Sequence, residues 1–151
     1  MSTTEERLKE LGLEIPPVPA AAGAYEHCVR SGDLLYLSGG ISISHERSIL
    51  GKVGEGVTLE DGREAARMCL LGRLAVVRDA LGSLDAVRRI VAIHGFVNCG
   101  PEFTEHPKVI DAASELAIEI FGDAGRHSRT AIGCVSLPLG VAVELGLVVA
   151  L

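Results

Sequence analysis

Two long stretches of the chain carry apolar side chains at helical spacing, and short β-branched runs surround them. From Thr58 onward, Ala65, Cys69, Gly72, Val76 and Ala80 recur three and four residues apart, with Met68, Leu71 and Ala75 beside them. That repeat marks one face of a helix. Thr58 and Asp61 make a capping-box-like start and Gly82 stands just past the last periodic residue, so the spacing predicts a helix between them. Its stripe is small and smooth, which suits close packing on a sheet. Arg63, Arg67, Arg73 and Arg78 fall largely off the stripe and read as a solvated face. The second stretch opens at Pro107, expected at the first helical position, and sets Val109, Ala113, Leu116 and Ile120 on one face before Gly122 stops it.

The runs between read as strands. HCVRSGDLLYLSGG predicts two strands around a tight Ser31-Gly32-Asp33 turn, because these residues supply hairpin geometry. Residues 41–57 are glycine-rich and irregular, with one further short strand expected. Residues 87–98, VRRIVAIHGFVN, are apolar on both alternating faces, as in a strand covered on both sides. Strands are also predicted from Arg129 through RTAIGCV and in VAVELGLVVAL, joined by a turn through Leu137-Pro138-Leu139-Gly140. A short N-terminal helix at about residues 4–11 and a connector, PPVPAAAGA at 16–24, precede them. The order β-β-(β)-α-β-α-β-β predicts a single α+β domain over residues 1–151, its two long helices on one face of a mixed sheet. The closing strand has almost no polar alternation, so subunit association is expected to cover the other face.

The chain's 151 residues suffice for one core and no more. A net charge of −6 is the wrong sign for a general nucleic-acid or anionic-membrane binder, and 3% aromatics leave few stacking platforms for bases. The N-terminus lacks the apolar core of a signal peptide, and no apolar run reaches membrane-spanning length, so a cytoplasmic protein is expected. Cys28, Cys69, Cys99 and Cys134 are widely spaced among apolar neighbours and read as reduced core thiols. The five histidines form no metal-binding pattern, and no metal is expected. His94 reads as a core or subunit-contact histidine.

Two charges stand apart. Glu144 is the only charged residue between Val141 and Leu151, and a carboxylate in an apolar strand needs a cation, hydrogen bonds or a chemical task. Shielding should raise its pKa toward neutrality, which suits proton transfer. Arg129 opens the preceding strand, where a guanidinium can grip a carboxylate with two parallel hydrogen bonds. The plain alternatives are an Arg129–Glu144 ion pair, or a Glu144 that faces solvent at a rim.

The segment SRTAIGCVSLPLGVAVEL, residues 128–145, resembles the signature of the Rid (YjgF-like) family of imine deaminases: an arginine, a small-residue strand, Leu-Pro, then a strand bearing Val-Glu. GAYEHCVRSGDLLYLSG, residues 23–39, resembles the same family's Gly-Pro-Tyr block and following Ser-Gly. The resemblance spans roughly residues 15–151. It implies a chorismate-mutase-like fold, a homotrimer with a ligand cleft at each subunit interface, and hydrolysis of 2-imino (2-enamino) acids to 2-keto acids and ammonia without cofactor. Arg129 then matches the residue holding the substrate carboxylate. Glu144 matches the one positioning the attacking water, helped by the backbone carbonyl near Ala131. Tyr25, Ser38 and Gly39 match cleft-lining positions from the neighbouring subunit. The implied partner is a small imino or keto acid. Ala24, Glu26-His27, His127 and Thr130 depart from the family pattern, and the 98–108 loop is longer. Asp111 stands where a ligand-side asparagine is expected, and a carboxylate there would repel an anionic ligand. Two other readings are a trimeric carboxylate-binding or chaperone-like module without turnover, and an endoribonuclease, against which the acidic charge argues.

Overall fold

The computed structural model describes residues 2–21 and 23–151; Met1, and Ala22 of the expected connector, lie outside the described residues. Helix α1 (Thr4–Glu10) is closed at its start by a capping box between Thr3 and Glu6. The hairpin follows as β1 (Cys28–Ser31) and β2 (Leu34–Ile41), joined at Gly32 with φ 61°. The irregular stretch holds two short strands rather than one, β3 (Lys52–Val53) and β4 (Gly56–Val57), paired in parallel. Helix α2 (Leu59–Leu81) starts where Thr58 Oγ1 accepts the Asp61 N–H at 3.1 Å and ends at left-handed Gly82. Then come β5 (Arg89–Asn98), α3 (His106–Phe121), β6 (Ser128–Cys134) and β7 (Val143–Ala150). Pro107 falls inside the first turn of α3, one position later than predicted, and Gly122 closes that helix.

The five-stranded sheet runs β1-β2-β7-β5-β6, with β5 and β6 parallel and the other neighbours antiparallel. The hydrophobic effect sets its polarity. Val143, Leu145, Leu147 and Val149 of β7 are at most 1% exposed and face α2 and α3 together with Ile93 and Val97 of β5. The opposite sheet face is open in the single chain: Val29, Tyr36 and Ile132 remain about half exposed. Within one chain the helices cover one face of β5, and the other, with His94 and Phe96, is the face left to the expected subunit association. His94 lies exposed on the open face and is not a core histidine.

The α2 stripe is also corrected. Gly62, Ala65, Ala66, Cys69, Leu70, Leu74, Ala75, Val76 and Val77 are its buried apolar members, whereas Ala80 is exposed. Arg73 sits among them at 3% exposure instead of on the solvated face. Counted from Cys69 and Val76, it falls four residues after one and three before the other, on the side facing the sheet. No helix among the described residues is long and apolar enough to cross a membrane.

Candidate functional site

Strand β2 carries a bulge between Leu37 and Gly40, which breaks its register with β7. A bulge bends the strand and opens the ladder locally. Here it lets side chains from α2 and from β7 reach one space. The result is a cavity of about 480 Å³ whose walls include Tyr25, His27, Gly39, Cys69, Arg73 and Glu144. Leu139, at φ 58° in the turn before β7, forms part of its rim.

Glu144 projects from β7 level with Ile41 of β2 and Phe96 of β5. A Cβ on Gly39 would stand 2.9 Å from Glu144 Cδ, so only glycine leaves room for this carboxylate. Burial raises its pKa above the usual carboxylate range, with the Arg73 guanidinium pulling weakly the other way. The carboxylate makes no hydrogen bond or ion pair with the described residues. Within the chain the Arg129–Glu144 ion pair does not form, because Arg129 pairs with Asp111, and Glu144 is a half-buried wall residue of the cavity.

Arg73 reaches the same cavity from α2. Its Nη1 donates to the Ser38 carbonyl at 2.9 Å, while Nε is buried and unpartnered. Burial lowers its pKa. Ser38 itself is fixed by the bulge: its Oγ donates to the Glu26 carbonyl at 2.6 Å and its N–H to the His27 carbonyl at 2.9 Å. His27 Nε2 lies 2.6 Å from the Pro19 carbonyl, which makes Nε2–H the donor and leaves buried Nδ1 as an acceptor without a partner.

Arg129 lies elsewhere. On β6 it is level with Ile93 and turns toward α3, where Nη1 donates to Asp111 Oδ1 at 2.6 Å and to Ser114 Oγ at 3.2 Å. Ser114 Oγ is in turn 2.9 Å from His127 Nε2, and His127 Nδ1 donates to the Gly125 carbonyl at 2.6 Å. The departures at positions 111 and 127 therefore form one chain of hydrogen bonds that orients the Arg129 side chain. Thr130 is exposed and Ala131 half-buried on the same strand, level with His94 and Gly95. Glu144 and Arg129 sit on opposite faces of the sheet with β5 between them. Their backbones are roughly 14 Å apart by strand spacing and rise.

One protomer thus brings Tyr25, Gly39 and Glu144 to one cavity, with Ser38 behind its wall, and sets Arg129 with Asp111 on the other side. Arg73 and His27 are cavity residues that the sequence did not assign. Among the described residues, no group of histidines, cysteines and carboxylates is arranged to hold a metal ion.

Residues 5–150 match the family described as "YjgF/chorismate mutase-like, putative endoribonuclease". The chain belongs to the YjgF (Rid) family. It is 39% identical over 146 residues to Protein TCP17 of Trypanosoma cruzi, covering 95% of this chain and 91% of that protein. Among solved structures it is similar to the protein Atu1372 with unknown function from Agrobacterium tumefaciens, at 38% identity and TM-score 0.89, covering 99% of this chain and 92% of that one. It is likewise similar to a "putative endoribonuclease" from Shewanella oneidensis MR-1, at 36% identity and TM-score 0.95, covering 99% and 100%. The chain has the chorismate-mutase-like fold of this family.

Proposed function

We propose that this protein hydrolyses 2-imino acids to 2-keto acids and ammonia, with Glu144 as the proton-transferring group. The observation that carries the reading is the Glu144 carboxylate itself: half-buried, unpartnered, and facing a cavity beside Tyr25 and Gly39. Burial that raises its pKa suits a group that takes and returns a proton near neutral pH.

The chemistry asks little more of the protein. A protonated imine is electrophilic at C2. Glu144 holds a water molecule and accepts its proton as the oxygen bonds to C2, giving a tetrahedral aminoalcohol. Glu144 passes that proton to the nitrogen, takes up the hydroxyl proton as the C–N bond breaks to leave 2-keto acid and ammonia, and gives this last proton to the ammonia, which departs as ammonium. The substrate carboxylate must be fixed so that water and C2 meet at the right angle. Arg129 is suited to that grip, because Asp111 and Ser114 occupy only its Nη1 and orient the rest. Since Glu144 and Arg129 lie on opposite sheet faces of one chain, the working site joins Glu144 of one copy to Arg129 of a second. The open sheet face with Val29, Tyr36 and Ile132 supports association of copies, with a homotrimer as the proposed assembly and the cytoplasm as its place.

The test generates 2-imino acids in situ with an amino-acid oxidase and traps the remainder with semicarbazide. The wild type should accelerate loss of the trapped imine, and Glu144→Gln should reduce that acceleration by about 100-fold or more. Equal turnover by wild type and Glu144→Gln overturns the role of Glu144. No acceleration with any aliphatic or aromatic imine would leave the carboxylate-binding reading in its place. The ribonuclease wording attached to relatives finds little support in a chain of net charge −6.

A further inference from the structure

Arg73 is a buried cation without an anion. At 3% exposure it has left water, yet among the described residues no carboxylate forms an ion pair with it. Isolating a charge in this way is costly, and buried guanidinium groups are ordinarily matched by an acidic partner. Among the described residues, the one hydrogen bond that Arg73 makes is from Nη1 to the Ser38 carbonyl. That leaves Nη2 to meet an anion, since Nε is sealed against Gly40. Nε is one of only two buried side-chain polar atoms left unpartnered among the described residues. The other is His27 Nδ1, and both residues line the cavity of Glu144.

Space points the same way. A cavity of about 480 Å³ exceeds what a two- or three-carbon imino acid fills. At the bulge, only a glycine at position 40 leaves room for the Arg73 side chain that lines this cavity.

From these observations we infer that the cavity takes dicarboxylic substrates, with Arg73 holding the side-chain carboxylate at the end away from the reacting carbon. The inference rests on the imine-hydrolase reading, in which Arg129 of a second copy holds the carboxylate next to the imine. Arg73 is then a specificity-determining residue, and the substrate class is the acidic 2-imino acid of about four to six carbons, the range set by cavity size.

The experiment compares two keto acids of equal length that differ only in the terminal group. Binding of 2-oxoglutarate and 2-oxopentanoate to the assembled protein is measured by titration calorimetry. The imines of glutamate and norvaline are then compared in the trapping assay. The wild type should bind 2-oxoglutarate about tenfold more tightly or better, as one charge-assisted hydrogen bond provides. Arg73→Met should bring that ratio to about one, with circular dichroism reporting the retained fold. Arg73→Lys keeps the charge and loses the planar guanidinium that places Nη2, so its ratio should fall between the two.

A wild-type ratio of one or less overturns the inference, as does a ratio that survives in Arg73→Met. Loss of both ligands in Arg73→Met and Arg73→Lys, with the fold retained by circular dichroism, also overturns it by making Arg73 the general clamp. If Arg73→Met does not fold, the wild-type ratio and Arg73→Lys decide. Failure of the parent reading looks different: the tenfold binding preference persists, and neither imine is hydrolysed.

Discussion

Gly40→Ala tests the packing around the buried guanidinium. A Cβ at position 40 would stand 2.9 Å from Arg73 Cδ and 3.1 Å from Cζ, and nearer still to Nε. Carbon contacts of that kind do not persist, so the guanidinium must retreat by roughly 1 Å. The move breaks the 2.9 Å hydrogen bond from Nη1 to the Ser38 carbonyl around a guanidinium only 3% exposed. Losing a buried charge-assisted bond costs about 1.5–3 kcal/mol and overpacking adds about 1–3. With partial relaxation the expected destabilisation is about 3 kcal/mol, a fall in Tm of about 6–12 °C for a chain of this length. The assay is urea or thermal unfolding at one fixed protein concentration, because association shifts apparent stability. Arg73→Ala and the double variant complete a cycle. If the cost arises at Arg73, the two changes couple by about 1 kcal/mol or more. A cost below about 1 kcal/mol for Gly40→Ala, or strict additivity in the cycle, would refute this account of the bulge.

Other outcomes follow from the same geometry. Glu144 has its pKa raised above 4.5 by burial, so the folded state binds its proton more tightly than the unfolded state and its ionisation opposes folding as pH rises. Glu144→Gln should therefore be the more stable protein at pH 7–8, with the difference vanishing below pH 4.5 where both residues are neutral. A pH series of melting temperatures showing the reverse trend would remove the burial argument. Thr58→Ala deletes the cap on the Asp61 N–H and should cost about 1 kcal/mol in chemical denaturation, with Thr58→Ser restoring most of it. No loss in Thr58→Ala would mean that the start of α2 is held by packing alone. Cys69 is 1% exposed and burial pushes its thiol far up, so a thiol reagent at pH 8 should modify it only on unfolding. Labelling of Cys69 at the native rate of Cys134 would contradict that.

Much of the fold is written in local signals. Thr58 and Gly82 bound α2 because a side-chain cap and a left-handed stop are decided within a few residues. The SRTAIGCV and VAVEL segments identify β6 and β7 and flag Arg129 and Glu144, because a lone charge in an apolar strand is conspicuous by composition. What stays hidden is set by contacts distant in sequence. Arg73 looks solvated when the helical count starts at Ala65 and Gly72, and a rotation of the stripe by one position buries it. The bulge at Ser38 and Gly39 depends on β2 pairing with β7, more than 100 residues later. The attachment of Arg129 to Asp111 depends on α3 crossing over β6, which turns an apparent obstacle to anion binding into part of the arginine's support. Opposite placement of Arg129 and Glu144 follows only once β5 is known to lie between their strands.

That placement makes the shared site the central claim, and mixing inactive variants tests it most directly. Arg129→Ala and Glu144→Gln are co-expressed in equal amounts, purified as one assembly, and assayed for imine hydrolysis beside each variant alone. A site built from Arg129 of one copy and Glu144 of another predicts two inactive variants and a mixture recovering about a quarter of wild-type turnover, the fraction of interfaces where both residues are intact. A mixture as inactive as its components would contradict the shared site, and full activity in either variant alone would remove that residue from the reaction.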